Sequence, residues 1–295
     1  MYKITLFLLL MSLSVSSQKI HFIGKIVDKE TQKPVVYANV SFLKINKGIS
    51  TTENGTFNLK IAEKLLNQQI HISCLNYKDT VVFAYQLHKS ILFLQPKVVE
   101  LDEIKISRKV DRELVVDKIR RRVSPMHSPK IIPMIAKYFP FKKTYLETLF
   151  LKEIEIRFSN SDFQKSKFRI RIFSKDIVSG LPKEDLLKKS FTIVLLKKQK
   201  SLKIDLSSLD IEFPKDGLFI AFEKLFIPFN EYLFKPYKGK KQIYYAPTIG
   251  MTYSKESIGI ERNYFYALGK WAKWPMPVIR KNKRFVPAIS LILSN

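Results

Sequence analysis

The feature that most constrains the fold is a succession of short β-rich runs over residues 24–94, separated by turn-forming residues. Apolar and polar side chains alternate along residues 56–61, where Phe57, Leu59 and Ile61 share one face. Asn54-Gly55 lies before this run and is typical of a β-hairpin, because both residues tolerate a positive φ. Short strands at this spacing predict a β-sandwich rather than a helical fold.

Four segments of this region carry a family resemblance. They are GKIVDKETQKPVVYANV, GISTTENGTFNL, ISCLNY and VVELDEIKIS, in that order. Together they resemble the carboxypeptidase-regulatory-like domain of Bacteroidetes envelope proteins. The resemblance implies a transthyretin-like sandwich of about seven strands over residues 18–95. It implies no peptidase chemistry, and it suggests a link to TonB-dependent receptors, whose plug domains often follow the same module.

Two residues depart from the family pattern. Thr52 stands where the family usually has an aspartate in a turn, so a metal ion at that turn is not expected. Asn76 stands where the family usually has glycine before Tyr77. This second change is mild, because asparagine also tolerates a left-handed backbone conformation.

The N-terminus has the pattern of a secretory signal peptide. Lys3 precedes an apolar stretch at residues 4–11, and the small residues Val15 and Ser17 suit a cleavage site. We therefore expect residues 1–17 to be removed and the protein to be exported, to the periplasm or the outer-membrane surface. No later segment approaches the length of a membrane span, so no transmembrane segment is expected in the mature chain.

Cys74 is the single cysteine of the chain. An internal disulfide is therefore impossible, and the fold of an exported chain must be held by its core alone. Because Cys74 lies in an apolar β-rich run, we expect a buried and unreactive thiol.

The chain is strongly basic, with 52 Lys and Arg against 26 Asp and Glu and a net charge of +26. Because an exported chain leaves the compartment that holds nucleic acid, no nucleic-acid partner is expected. Lipopolysaccharide phosphates, acidic lipids and acidic polysaccharides are the polyanions that remain. A lysine-rich composition without any ligand explains the charge equally well.

Residues 96–140 are expected to form a linker. Within it, Val116, Ile119 and Val123 recur at helical spacing and predict a short amphipathic helix over residues 105–123. Residues 141–295 return to alternating runs, for example at residues 168–172, and predict a second β domain. The order of its runs resembles jelly-roll sandwiches, including carbohydrate-binding ones.

The C-terminal third is both aromatic and basic. Aromatic rings beside cations could stack on sugars while the cations bind phosphates or carboxylates. The more common alternative is that the rings form the core and the lysines cover the surface. The candidate ligand-binding residues are Lys238, Lys240, Lys241, Trp271, Trp274, Lys281, Lys283 and Arg284.

Motifs typical of enzymes are missing from the sequence. It contains no G-x-S-x-G, H-E-x-x-H, P-loop or G-x-G-x-x-G, and its four histidines lack the spacing of zinc ligands. We therefore expect no catalytic residues, no metal and no cofactor.

The function expected from these observations is non-enzymatic. The chain would be a cell-envelope interaction or structural protein that binds an anionic glycan or lipopolysaccharide, or an outer-membrane protein. One alternative is a carbohydrate-binding module that uses Trp271 and Trp274 as a stacking platform. A second alternative is an accessory of a TonB-linked outer-membrane receptor. An envelope hydrolase is a further alternative, for which the sequence offers no residues.

Overall fold

The described part of the chain is built almost entirely of β-strands, which confirms the predicted all-β class. The computed structural model describes residues 18–97, 111–119, 123–125, 131–159, 164–235, 239–254, 260–276, 278–279 and 283–295. The predicted signal peptide, residues 1–17, lies outside these ranges.

The N-terminal module is a sandwich of two sheets. Its elements are β1 (Lys19–Asp28), β2 (Asn39–Phe42), β3 (Gly48–Ser50), β4 (Thr56–Ala62), β5 (Gln69–Ser73), β6 (Thr80–Phe83), α1 (Ala84–Leu87) and β7 (Ile91–Leu94). One sheet has the order β4-β1-β7, with β1 antiparallel to β4 and parallel to β7. The other has the order β3-β2-β5-β6. Phe22 and Ile26 of the first sheet pack against Phe42 and Ile70 of the second to form one core.

The Asn54-Gly55 turn forms as expected, but it does not join neighbouring strands of one sheet. Gly55 has a φ of +71°, and an added Cβ there would lie 2.5 Å from the backbone oxygen of Ile26. The turn connects β3 to β4, and these strands belong to different sheets. The glycine is therefore required by the passage of the chain from one sheet of the sandwich to the other.

The C-terminal domain is a larger sandwich. Its strands are β8 (Glu113–Val116), β9 (Ser124–Pro125), β10 (Met134–Phe139), β11 (Phe150–Arg157), β12 (Ser166–Lys175), β13 (Pro182–Asp185), β14 (Phe191–Leu195), β15 (Ser201–Asp205), β16 (Leu218–Lys224), β17 (Glu231–Phe234), β18 (Gln242–Tyr245), β19 (Gly250–Ser254), β20 (Asn263–Ala267), β21 (Lys270–Lys273), β22 (Val278–Ile279), β23 (Lys283–Pro287) and β24 (Ile289–Ser294). Short 3₁₀ turns lie in this domain at Lys143–Tyr145, Ser207–Leu209 and Pro228–Asn230, and in the N-terminal module at Glu63–Asn67.

Two of these sheets face each other across the main core. A seven-stranded sheet has the order β13-β12-β16-β10-β20-β21, with β14 also paired to β12. A four-stranded sheet has the order β15-β11-β24-β8. Ile170 and Ile220 from the first sheet pack against Ile154 and Leu291 from the second. The arrangement confirms the expected sandwich, although its larger sheet is wider than those of an eight-stranded jelly roll.

The segment expected to be a linker belongs to this sandwich. Glu113–Val116 is strand β8, which pairs with β24, and Met134–Phe139 is strand β10, at the centre of the larger sheet. The domain therefore begins before residue 141. The helix predicted over residues 105–123 is wrong where the structure describes it. Val116 and Ile119 are buried as that pattern required, but the β-branched pair Val115-Val116 favours a strand once a neighbouring edge is available.

A buried lysine ties the two sheets of the sandwich together. Lys137 of β10 is 1% exposed, and its Nζ donates a hydrogen bond of 2.6 Å to the backbone oxygen of Ile289. The same Nζ lies 3.0 Å from the carboxylate of Asp117, which also pairs with Arg262. Burial alone would raise the pKa of Asp117, but the charges of Lys137 and Arg262 outweigh it and lower the pKa to about 2.

This ion cluster predicts a specific loss of stability in acid. The folded pKa of Asp117 lies below its ordinary value of 3.8, so its contribution is present above about pH 4 and disappears as the pH falls towards 2. The shift corresponds to about 2 kcal/mol of the free energy of unfolding. We expect Asp117→Asn to be less stable than wild type at neutral pH. Its free energy of unfolding should also depend less on pH between about pH 4 and pH 2. Denaturant midpoints across this range test this, and parallel curves for the two proteins would contradict it.

Candidate functional site

A cleft of about 970 Å³ lies between the N-terminal module and the outer face of the seven-stranded sheet. The module contributes Asn39, residues 73–76 and Asp79. The sheet contributes residues on β12, β16, β20 and β21, and most of residues 179–188 form one wall. We call this space the inter-module cleft. It is the candidate site because both modules are needed to form it.

The floor of the cleft is a buried network of ion pairs. The strand register places Arg169 of β12 directly opposite Glu223 of β16. The guanidinium binds both carboxylate oxygens of Glu223, at 2.6 Å and 3.0 Å. Arg171 lies 3.5 Å from the same carboxylate and also pairs with Asp185. Burial alone would raise the pKa of Glu223, but the charges of Arg169 and Arg171 lower it, so the carboxylate is ionised at neutral pH.

Arg169 also joins the two modules. Its Nη2 donates a hydrogen bond of 2.7 Å to the backbone oxygen of Tyr37, in the N-terminal module. Ser50 and Phe226 form a second junction. The backbone N–H of Ser50 donates a hydrogen bond of 3.0 Å to the backbone oxygen of Phe226, and the backbone N–H of Phe226 donates one of 3.0 Å to the Oγ of Ser50. The side chain of Lys167 reaches Glu53 across the same boundary. The N-terminal module is thus fastened to the outer face of the larger sheet.

Trp271 is the aromatic residue of the cleft that remains half-exposed. Its ring lies edge-on to two others. The ring centroids are 5.3 Å apart for both Phe173 and Tyr266, and the angles between the ring planes are 75° and 62°, respectively. Phe173 and Tyr266 are themselves buried. Tyr266 in turn packs against His71 of the N-terminal module, with ring centroids 6.1 Å apart. Two buried rings therefore fix the position of the indole, and one part of its surface faces the cleft.

Asn76 connects the turn of the N-terminal module to the wall of the cleft. Its φ is +66°, as expected for a position where the family usually has glycine. Its side-chain Nδ2 donates a hydrogen bond of 2.6 Å to the backbone oxygen of Lys188. The asparagine therefore does what a glycine cannot, because it holds residues 179–188 against the module.

Cys74 is half-buried as a residue and lines the cleft. Burial is the main cause that raises the pKa of its thiol, and the nearby Arg169 offsets only part of this effect. The thiol is therefore protonated at neutral pH and unreactive as a nucleophile.

The candidate residues that the structure describes do not form one site. Among these described candidates, only Trp271 lines the inter-module cleft. Trp274 packs against the main sandwich core and lies edge-on to Phe265 at 6.1 Å. Lys240 and Lys241 are exposed beside strand β18, whereas Lys283 and Arg284 lie on β23, where Arg284 is 3.8 Å from Glu261. Lys238 and Lys281 lie outside the described residues.

The buried charges of the cleft were missed in the sequence. Arg169 and Arg171 alternate with Phe168, Ile170 and Ile172, a pattern that predicts arginines facing solvent. One sequence feature could have indicated the ion pairs: β12 carries two arginines on one face, and β16 carries Glu223 within an apolar run. Only the strand register shows that these charges meet.

The described residues contain no group of three His, Cys, Asp or Glu side chains that could hold a metal ion. Within the same ranges, no helix is long and apolar enough to cross a membrane.

Comparison with known families agrees with the N-terminal fold. Residues 22–106 match the family model described as CarboxypepD_reg-like domain. The N-terminal module is therefore a carboxypeptidase-regulatory-like domain. A search of curated proteins found no match.

Two solved structures show a distant likeness. One comprises the cysteine protease and lectin-like domains of Cwp84, a surface-layer-associated protein of Clostridium difficile, at 12% identity and a TM-score of 0.34. The match covers 55% of this chain and 32% of that one, so this chain spans about a third of that structure. The other is a putative carbohydrate-binding protein from Bacteroides uniformis, at 15% identity and a TM-score of 0.19, covering 80% of this chain and 99% of that one.

The junction at Arg169 predicts a large effect of its removal. Arg169→Met leaves the buried Glu223 carboxylate and the Tyr37 backbone oxygen without this partner, so we expect the free energy of unfolding to fall by about 3–5 kcal/mol. Lys203→Met is the matched control, because Lys203 forms an exposed pair with Glu153 at 2.8 Å. Denaturant unfolding of both variants measures the effect. Equal stability of the two variants would show that the buried pair does not hold the modules together.

Proposed function

We propose that this is an exported, non-enzymatic protein of the cell envelope that binds a glycan in the inter-module cleft. The observation that carries the proposal is the half-exposed indole of Trp271, held by the buried rings of Phe173 and Tyr266. A sugar ring presents apolar C–H faces that pack on an aromatic surface, and a ring fixed in advance loses little conformational freedom on binding. Proteins that bind small ligands commonly do so in a cleft between domains.

The charge around the cleft favours an acidic glycan. Because Arg169, Arg171, Asp185 and Glu223 neutralise one another, the remaining charges on the lining residues decide the sign. These are Lys97, Lys183, Lys188 and Lys270 against Asp79 and Glu184. The lysines are exposed and outnumber the carboxylates, so a carboxylate or phosphate on the sugar would be attracted to the rim.

The chemistry of the floor supports binding rather than catalysis. A general acid or base must exchange a proton near the working pH. Glu223 is held ionised by two arginines. Burial is the main cause that raises the pKa of Asp185, and its bonds to Arg171 and to the backbone N–H of Leu187, at 2.9 Å, offset only part of this effect. Glu223 is therefore not available as a proton donor to a glycosidic bond, and the carboxyl group of Asp185 is engaged by Arg171.

The proposal predicts that the two tryptophans behave differently. We expect Trp271→Ala to weaken binding of an acidic polysaccharide by about tenfold or more, because the stacking surface is removed. Trp274→Ala is the matched control, since Trp274 is half-buried like Trp271 but packs against the sandwich core and does not line the cleft. Binding of residues 18–295 and both variants to acidic and neutral glycans is measured by calorimetry, with thermal unfolding to confirm the fold.

The salt dependence of the same titrations distinguishes the outcomes. Binding to an acidic glycan that weakens with salt and is lost in Trp271→Ala supports the proposal. Salt-independent binding that prefers a neutral glycan would support the cleft as the binding site but would contradict the role proposed for the lysines. An equal loss in both tryptophan variants, or no glycan binding, would refute the assignment.

A further inference from the structure

The β17–β18 hairpin forms a small two-stranded sheet outside the two facing sheets of the sandwich. Its strands pair Tyr232 with Tyr244 and Leu233 with Ile243. Residues paired across an antiparallel ribbon point to the same face. The hairpin therefore has one face with Tyr232 and Tyr244 and an opposite face with Leu233 and Ile243. Glu231 and Tyr245, the pair at the start of the hairpin, lie on this second face, where the Tyr245 hydroxyl donates a hydrogen bond of 3.0 Å to the Glu231 carboxylate.

The two faces have different environments. On the inner face, the ring of Phe234 lies 5.2 Å from that of Tyr244 and 6.5 Å from that of Tyr232, so the aromatic residues pack on one another. On the outer face, Leu233 is 62% exposed and Ile243 is 53% exposed. Two neighbouring aliphatic side chains are thus exposed on a ribbon whose other face is packed with aromatic rings.

Cations follow this aliphatic pair towards the turn of the hairpin. Lys235 comes after β17, and Lys240 and Lys241 come before β18, and all three are exposed. Continued by one position beyond each strand, the alternation predicts Lys235 and Lys241 on the same face as Leu233 and Ile243. The sequence contains no Asp or Glu over residues 232–255. Glu231 lies at the other end of β17 from Lys235 and is bonded to Tyr245, so no carboxylate within residues 232–255 cancels the charge of these three lysines.

We propose that this hairpin docks the protein on a membrane surface that contains anionic phospholipids. Leu233 and Ile243 enter the boundary between headgroups and acyl chains, and the lysines bind the lipid phosphates. Exposed aliphatic residues flanked by lysines, with tyrosines beside them, are the composition of protein segments that lie in a membrane interface. Charge complementarity selects lipid over a neutral protein partner. This inference does not depend on the proposed glycan cleft, since the two surfaces share no residue.

The chain offers a matched control at a turn between two strands of different sheets. Strands β14 and β15 are joined by a turn that carries Leu196, which is 57% exposed, and the exposed lysines Lys197 and Lys200. This turn has the same residue types but lies on a different part of the surface. Its lysines allow the same change in net charge to be made away from the β17–β18 hairpin.

The first test is flotation of residues 18–295 with vesicles of phosphatidylcholine alone or with about one-third phosphatidylglycerol, at about 0.05 M and about 0.5 M salt. We expect binding only to the anionic vesicles. The double substitution Lys240→Glu with Lys241→Glu should weaken it by about tenfold or more, and Lys197→Glu with Lys200→Glu by much less. An equal loss in both double variants would show that net charge alone drives binding and would overturn the proposal, as would no binding to either vesicle.

The second test detects insertion directly. Leu233→Trp places an indole on the outer face of the hairpin, and we expect its fluorescence to shift to shorter wavelength on anionic vesicles, in excess of the change shown by wild type. Leu196→Trp should show no such excess shift. Equal shifts at both positions would refute docking by this hairpin. A wild-type dimer that becomes monomeric in Leu233→Ser with Ile243→Ser would instead assign the face to a second copy of the chain and overturn the membrane proposal.

Discussion

The arrangement of the two modules depends on one buried guanidinium. Arg169 neutralises Glu223 within the larger sheet and donates a hydrogen bond to the backbone oxygen of Tyr37 in the N-terminal module. A buried pair contributes little net stability when complete, because desolvation offsets the Coulomb attraction, but it becomes costly when one partner is missing. The N-terminal module supplies one of the partners. The guanidinium is therefore fully satisfied only when the two modules are joined, which favours this arrangement over alternatives.

The cleft follows from that junction. Attachment at Tyr37 and Ser50 leaves the part of the sheet that carries Arg171 and Trp271 uncovered, facing residues 73–76 of the module. Tyr266 transmits the constraint, because it contacts both Trp271 and His71. A change at the boundary between the modules would thus alter the position of the indole, even though no atom of the proposed binding surface had been replaced.

Local patterns predicted the fold class well and the connections less well. Alternation at residues 56–61 and 168–172 led to strands β4 and β12, and Asn54-Gly55 led to a turn with a positive φ. The prediction of a helix over residues 105–123 was wrong, because Glu113–Val116 forms strand β8. Burial of Val116 and Ile119 is compatible with a helix or with a strand that then leaves the sheet, so periodicity alone could not decide between them. Of the described candidate residues, Trp271 lines the cleft, whereas Lys240 and Lys241 lie beside β18 and Lys283 and Arg284 lie on β23.

The sequence by itself determined that this chain forms two β-sandwiches and that the first is a carboxypeptidase-regulatory-like domain. It could do so because strand alternation and turn residues act over a few neighbouring positions. Only the tertiary structure decided that Arg169, Glu223 and Tyr37 meet and that Trp271 faces the cleft while Trp274 packs against the main core. The tertiary structure also decided that Leu233 and Ile243 share an exposed face. These relations depend on strand register and sheet order between distant segments, and no local pattern of residues encodes them.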